Sequence, residues 1–153
     1  MQFRTGKTKG LLLSSIDSAL LAVEIYNKPR TTFRSQGYIT LMIIAWTYLF
    51  HAHFNSIMGN RYCYKNENGR YQIVEGERKT WELSSCIDKY GTLRDPIKAN
   101  LQFFIGLRNK IEHRFSGRNE FDVRIFGECQ ALLYNYDPSS TVALKNEAKT
   151  WQV

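Results

Sequence analysis

Within the short run Leu107-Arg108-Asn109-Lys110-Ile111-Glu112-His113 stand three side chains able to do chemistry together. An imidazole with an ordinary pKa near 6.5 gives and takes protons close to neutrality. A guanidinium grips an anionic oxygen through paired N–H donors and stabilises charge that builds in a transition state. A carboxamide at position 109 orients a ring or donates to an oxyanion. Arg108, Asn109 and His113 are therefore the first candidates for proton transfer at an anionic centre.

These residues need a helix to hold them. Asp95-Pro96 reads as a helix opening with Asp95 as N-cap, and the pattern continues to about Phe115 before Ser116-Gly117 ends it. At about 100° per residue, Ile97, Leu101, Phe104, Ile111 and Phe115 fall within about 40° of one direction, and Arg108 falls among them. An arginine in an apolar stripe must be paired, solvated through a cleft or held at an interface, and such conflicts mark functional sites. Gln102, Gly106, Asn109 and His113 line the opposite side, where the mid-helix glycine predicts close approach of another backbone. Arg108 and His113 lie about 140° apart on an ideal helix, so one helix does not easily aim both at one target and a second copy would. His113 faces the negative helix end, which favours its charged form, while Arg114 opposes it.

The other elements follow from periodicity. Leu13, Ile16, Leu20 and Val23 mark a first helix, with Ser14 or Ser15 as cap after a polar, frayed start, and the helix stops near Asn27 because Lys28 precedes Pro29. A second runs from about Phe33 to Phe54, apolar nearly all round as a central helix must be. Between Arg61 and Leu83 the period becomes two and Asn66-Glu67-Asn68-Gly69 turns the chain, giving a β-hairpin. Ser84 or Ser85 caps a short helix ending at Tyr90-Gly91. A last helix, about Asp122 to Tyr136, carries Val123, Phe126, Ala131, Leu133 and Tyr134. The expected architecture is all-α: a bundle of four long helices and one short, with an inserted hairpin. It forms one domain over 1–153 with its core at about 14–136, and 137–153 reads as a truncated element or poorly ordered tail.

Composition narrows the partners. The chain has 153 residues, 43% of them hydrophobic and 14% aromatic, which suits a single packed domain. Its net charge of +7 favours a polyanion. The excess sits in Met1–Gln36 and Leu107–Phe126. Cys63, Cys86 and Cys129 match neither a metal knuckle nor a disulfide framework and fit a reducing, cytoplasmic home. The apolar run Ile39–Phe50 is shorter than the roughly 20 residues a bilayer span needs. Leu11-Leu12-Leu13 is too short for a signal sequence. His51 and His53, two apart, point to different helix faces and do not chelate, so no metal or cofactor site is expected. No Gly-rich phosphate loop, nucleophile elbow or Cys-His nucleophile pair is present, which argues against kinase, hydrolase and protease chemistry.

Arg108 to His113 resembles the R-x-x-x-x-H motif of the HEPN (higher eukaryotes and prokaryotes nucleotide-binding) superfamily, with the polar residue usual after the arginine. Ala22-Val23-Glu24-Ile25-Tyr26-Asn27-Lys28-Pro29 and Leu41-Met42-Ile43-Ile44-Ala45-Trp46 are similar to an uncharacterised prokaryotic subfamily, so the likeness spans roughly Ser14 to Tyr136. It implies a HEPN-like bundle and a metal-independent endoribonuclease acting as a homodimer, with the motif helices meeting at the two-fold axis, in toxin or phage-defence systems. An antitoxin or other defence-system subunit would be a further partner. His113 would transfer protons, Arg108 would hold the scissile phosphate and Asn109 would orient the imidazole. Glu24, Glu112 and Arg114 are supporting candidates, and Lys110, Arg118, Lys28 and Arg34 are candidate RNA-binding cations. One departure stands out: two residues after the histidine some members carry a tyrosine that is modified to silence them, and here Phe115 has no hydroxyl.

Plainer readings stand beside these. Arg108 pairs with Glu112 at i, i+4, His113 caps the helix end, and Glu24 is a surface glutamate. Tyr62, Tyr64 and Tyr71 pack across the hairpin rather than stack bases beside Lys65 and Arg70. A catalytically silent module that binds nucleic acid or nucleotide, or mediates assembly, is the alternative function.

Overall fold

The computed structural model describes residues 2–28, 34–113 and 119–138, with side chains described over 6–28, 34–110 and 125–138. Five α-helices are found among them: α1 (Gln2–Asn27), α2 (Arg34–Met58), α3 (Leu83–Tyr90), α4 (Asp95–His113) and α5 (Asn119–Tyr134). A two-stranded antiparallel ribbon, β1 (Ile73–Val74) with β2 (Glu77–Arg78), lies between α2 and α3. The class is all-α, with four long helices and one short. Of the expected tail at 137–153, residues 139–153 lie outside the described residues, as does the Ser116-Gly117 stop.

Helix α2 is the axis of the bundle and packs against α1, α3, α4 and α5. Its run of Ile39, Met42, Ile43, Ala45, Trp46, Leu49, Phe50, Ala52 and Phe54 is buried on nearly all sides, as its sequence requires. Each large apolar side chain so enclosed contributes roughly 1.5–3 kcal/mol. Polar side chains then set the register of the neighbours. Buried Ser15 of α1 donates from Oγ to the Ala45 carbonyl at 2.6 Å, and Tyr136 therefore donates its hydroxyl proton to the same Oγ at 2.7 Å. Near the other end of α1, Thr8 donates to Asn55 Oδ1 at 2.9 Å, so α1 and α2 run antiparallel. Tyr38 donates to the Cys129 carbonyl at 2.7 Å and Trp46 Nε1 to the Leu132 carbonyl at 3.3 Å, which seats α5.

These contacts correct the expected helix faces. Helix α1 begins at Gln2 instead of at a serine cap, because Lys7 Nζ reaches Asn60 Oδ1 at 2.7 Å and Thr8 is buried on Asn55, giving the polar start a tertiary anchor. Its buried line is Leu12, Ser15, Ala19 and Ala22, whereas Leu20 of the predicted stripe is 64% exposed. Small residues face α2 because they let the two backbones approach. The same rotation appears in α5, where Ile125, Cys129 and Leu132 are buried and Phe126, Leu133 and Tyr134 are exposed.

The inserted segment has the expected turn at Asn66–Gly69, closed by Gly69 N–H donating to the Asn66 carbonyl at 3.0 Å, with Lys65 facing Tyr71. A second hairpin follows that the periodicity did not announce. Glu75 (φ 52°) and Gly76 (φ 83°) form a two-residue turn with both residues in the left-handed region, and the returning chain pairs Thr80 with Cys63. The tyrosines are structural: Tyr62 is buried with its ring 4.8 Å from that of His51, Tyr64 shares a 2.6 Å hydrogen bond with Ser85, and Tyr71 lies beneath Arg78 at 4.1 Å. Ser85 is thereby committed to the hairpin, and α3 starts after Glu82 with no side-chain cap.

His51 and His53 are packing residues. His51 donates Nε2–H to the Trp81 carbonyl at 2.7 Å, and His53 lies between the edges of Phe54 and Tyr90. Burial holds both imidazoles below the ordinary histidine value, for His51 against the opposing Trp81 carbonyl and with help from Lys7. The unfolded chain binds protons at these two positions near pH 6.5 while the folded chain resists them, so stability is full above that pH and falls as pH drops. We expect urea stability to decline from pH 7.5 to 5.5 by at most about 1.4 kcal/mol per pH unit for each imidazole. A His51→Gln/His53→Leu variant should show a flatter profile over that window; an unchanged slope would assign the effect elsewhere.

Candidate functional site

Helix α4 is launched from a defined point. Gly91, in the left-handed region at φ 73°, ends α3, and the Arg94 carbonyl accepts the first helical bond from Lys98 N–H at 3.0 Å. The capping position is thus Arg94, one residue before the one expected, and Asp95 sits in the first turn where a carboxylate favours the helix dipole. Leu101 and Phe104 are fully buried and Ile97 partly so, which fixes the rotation of α4 against the bundle. Asn100 locks α4 to α5, donating from Nδ2 to the Glu128 carbonyl at 3.2 Å and to Glu128 Oε2 at 2.9 Å.

One turn beyond Phe104, on the same side of the helix, stands Arg108. Its side chain is partly buried, and its Nε is shielded from solvent with no hydrogen-bond partner. A shielded donor left unpaired costs about 1–3 kcal/mol, more for a charged group. The fold holds this guanidinium at a cost that it does not recover within the described residues. Asn109 and Lys110 are exposed beside it. His113 is the last residue of α4; its side chain and that of Glu112 lie outside the described residues, as do Arg114 and Arg118 and the side chains of Ile111 and Phe115. The Arg108–Glu112 pairing therefore falls outside them too.

The opposite face of α4 is open. Gln102, Gly106 and Asn109 are exposed, and Phe103 is 43% exposed. A Cβ built on Gly106 would meet nothing within 4 Å, so the close backbone approach expected there is not supplied by the described residues. The remaining candidates sit where α1 meets α2. Glu24 and Lys28 are exposed, and Arg34, the first residue of α2, places its guanidinium 5.4 Å from the Tyr26 ring centre. Among the described residues no group of three His, Cys, Asp or Glu side chains could hold a metal ion.

A second concavity had no counterpart in the motif analysis. Val23, Tyr26 and Asn27 of α1, Tyr38 of α2 and Phe126, Cys129, Gln130 and Leu133 of α5 line an open pocket of about 220 Å³. Val23, Tyr26 and Asn27 stand at i, i+3 and i+4 on one helix face, the only local signal that could have marked it.

A family model described as "Domain of unknown function (DUF3644)" matches residues 10–148. The chain belongs to this family. The match takes in α2, α3, the ribbon, α4 and α5 together with α1 from Gly10, so both the Arg108 helix and the pocket are parts of the DUF3644 domain. No curated protein and no solved structure matches the chain.

If Arg108 is retained for chemistry at the expense of packing, Arg108→Leu should raise urea stability by roughly 0.5–2 kcal/mol, since an apolar replacement removes an unpaired buried donor. Phe104→Ala, one turn earlier, should lower it by about 3–5 kcal/mol. Chemical denaturation of the two variants beside the parent checks both signs.

Proposed function

We propose that this protein is a HEPN-like, metal-independent endoribonuclease acting as a homodimer, in a toxin or phage-defence setting. The observation that carries the reading is Arg108: a guanidinium held in an apolar stripe with a shielded, unpaired donor, on the helix that ends at His113. A phosphodiester is a natural partner for such a donor, because its anionic oxygens accept charge-assisted bonds from a guanidinium. The net charge of +7 suits the same partner.

The chemistry uses the RNA's own nucleophile. One His113 takes the 2′-hydroxyl proton, the 2′-oxygen attacks phosphorus, the bond from phosphorus to the 5′-oxygen breaks, and a second, protonated His113 gives its proton to that leaving oxygen. The products are a 2′,3′-cyclic phosphate and a 5′-hydroxyl. Arg108 stabilises the additional negative charge on the phosphorane, and Asn109 orients the imidazole or donates to a phosphate oxygen. The nucleophile needs no activation by a metal-bound water, since the neighbouring hydroxyl is deprotonated directly.

Two histidines come from two copies. The exposed face Gln102–Gly106–Asn109, flat at Gly106 and bordered by exposed Phe103, suits the close approach of a second α4. Gly106→Ala relieves the helix cost of glycine and should stabilise the fold by about 0.5–1 kcal/mol. Gly106→Arg should leave the circular-dichroism spectrum intact while yielding a monomer without cleavage activity. A dimer that survives Gly106→Arg would remove this face from the interface.

The decisive assay incubates full-length protein with single-stranded and structured RNA in EDTA. The parent should cut and leave 2′,3′-cyclic phosphate ends, and Arg108→Ala or His113→Ala should reduce the rate at least 100-fold, as expected for loss of a proton-transfer group or an oxyanion donor. Cleavage that required a divalent cation, or that persisted in His113→Ala, would defeat the mechanism. RNA binding without any cleavage would leave a nucleic-acid-binding module in its place.

A further inference from the structure

The pocket between α1, α2 and α5 is built differently from the Arg108 site, and none of the described α4 candidates lines it. Its walls are aromatic. The rings of Tyr26 and Phe126 are 6.4 Å apart and only 28° from parallel, and Phe126 is 47% exposed, so one face of this pair is open to a ligand. Tyr38 closes the floor, its ring 4.9 Å from Tyr26 and its hydroxyl already spent on the Cys129 carbonyl. Val23 and Leu133 add apolar sides.

Two exposed carboxamides, Asn27 and Gln130, stand among these rings and make no side-chain hydrogen bond within the described residues. Each offers a donor and an acceptor side by side, the pattern that reads the edge of a heterocyclic base. Among the described residues no carboxylate lines the pocket. Lys28 follows Asn27 directly, and Arg34 stacks on Tyr26, so two cations stand close to it. Its volume of about 220 Å³ equals that of roughly seven liquid waters, room for one planar heterocycle. An acyl chain would leave both carboxamides idle, and a carboxylate ligand would leave the rings idle; a nucleobase uses both.

We infer that this pocket receives a single unstacked nucleobase, stacked on the exposed Phe126 ring that Tyr26 backs, read along its edge by Asn27 and Gln130, with Lys28 and Arg34 placed for the attached phosphate. The inference rests on the ribonucleic-acid reading above only for the source of the base, a strand or a free nucleotide. In the strand case the pocket is a specificity subsite that sets base preference at a nucleotide away from the scissile bond. Every base has a π-face, so stacking supplies affinity and the carboxamides supply choice.

The test uses the full-length chain and the four nucleoside 5′-monophosphates, observed by saturation-transfer NMR and titration calorimetry, alongside the four homo-oligoribonucleotides observed by fluorescence anisotropy. One base should bind best. Phe126→Leu, which keeps apolar bulk and loses the π-face, should weaken every base by roughly 5- to 100-fold. Gln130→Ala should change the order of preference with an unchanged melting temperature. Tighter binding of the oligomer than of its mononucleotide assigns the pocket to a strand, and the reverse assigns it to a free nucleotide. No binding of any probe, or binding indifferent to both Phe126→Leu and Gln130→Ala, overturns the inference. The nuclease reading fails separately: Phe126-dependent binding by a protein that cuts no RNA keeps the pocket and discards the nuclease, whereas cutting without Phe126-dependent binding does the opposite.

Discussion

A helix that is apolar on nearly all sides needs cover from water, and covering α2 is the constraint from which the rest of this structure follows. Helix α1 runs antiparallel along it, α5 hangs from it by carbonyls that accept from Tyr38 and Trp46, and α3 and α4 cover further sides, leaving a narrow stripe at Thr40, Ile44 and Tyr48 exposed. Burial supplies the driving force, and it has no direction. Direction comes from the polar groups that burial would otherwise strand. Ser15 must find the Ala45 carbonyl, Asn55 must find Thr8 and Asn60, and His51 must find the Trp81 carbonyl, so each buried polar atom selects one register.

Arg108 departs from this pattern, as His53 Nδ1 also does, and it alone of the two carries a full charge at neutral pH into an apolar stripe. The same bundle that pairs Ser15 and Asn55 within its interior leaves a guanidinium donor shielded and unpaired one turn from Phe104. A sequence optimised for packing alone would place an aliphatic residue there. Membership of the DUF3644 family shows that this is a recurrent domain, and the chemistry assigned to it comes from the residues on α4 rather than from the family description. The pocket at the α1–α2–α5 junction adds a place for ligand contacts whose described lining comes from helices other than α4.

The expected and observed faces of α1 and α5 differ in an instructive way. Judged by bulk, Leu20 belongs in the core; it is exposed, and Ala19 and Ala22 are buried instead. Phe126 and Leu133 were displaced in the same manner by Cys129 and Leu132. In α1 the contact face carries small residues because the neighbouring backbone comes close, whereas in α5 the buried Ile125 and Leu132 are large and apolar like the exposed Phe126 and Leu133, so bulk alone did not decide between adjacent positions. The described part of the α4 stripe, Ile97, Leu101 and Phe104, faces the core as read because it is made of large residues with no small-residue rival, although the cap lies one residue earlier than expected. Ribbon and caps show a second kind of miss: Glu75-Gly76 turns the chain where no strong strand pattern flanks it, and Ser85 leaves the helix cap for the hydroxyl of Tyr64.

What the amino-acid order determined by itself was local: the 3.6-residue period of the long helices, the end of α1 at Asn27 and of α3 before Gly91, the Asn66–Gly69 turn, and the conflict of Arg108 with its stripe. These are readable because they depend on neighbours within one or two turns. The side of α1 that faces the core, the anchoring of its polar start on Asn55 and Asn60, and the pocket assembled from Tyr26, Tyr38 and Phe126 were decided only by tertiary structure. Each of them joins groups far apart in the chain, and such contacts are set by how helices pack around α2, which no local period encodes.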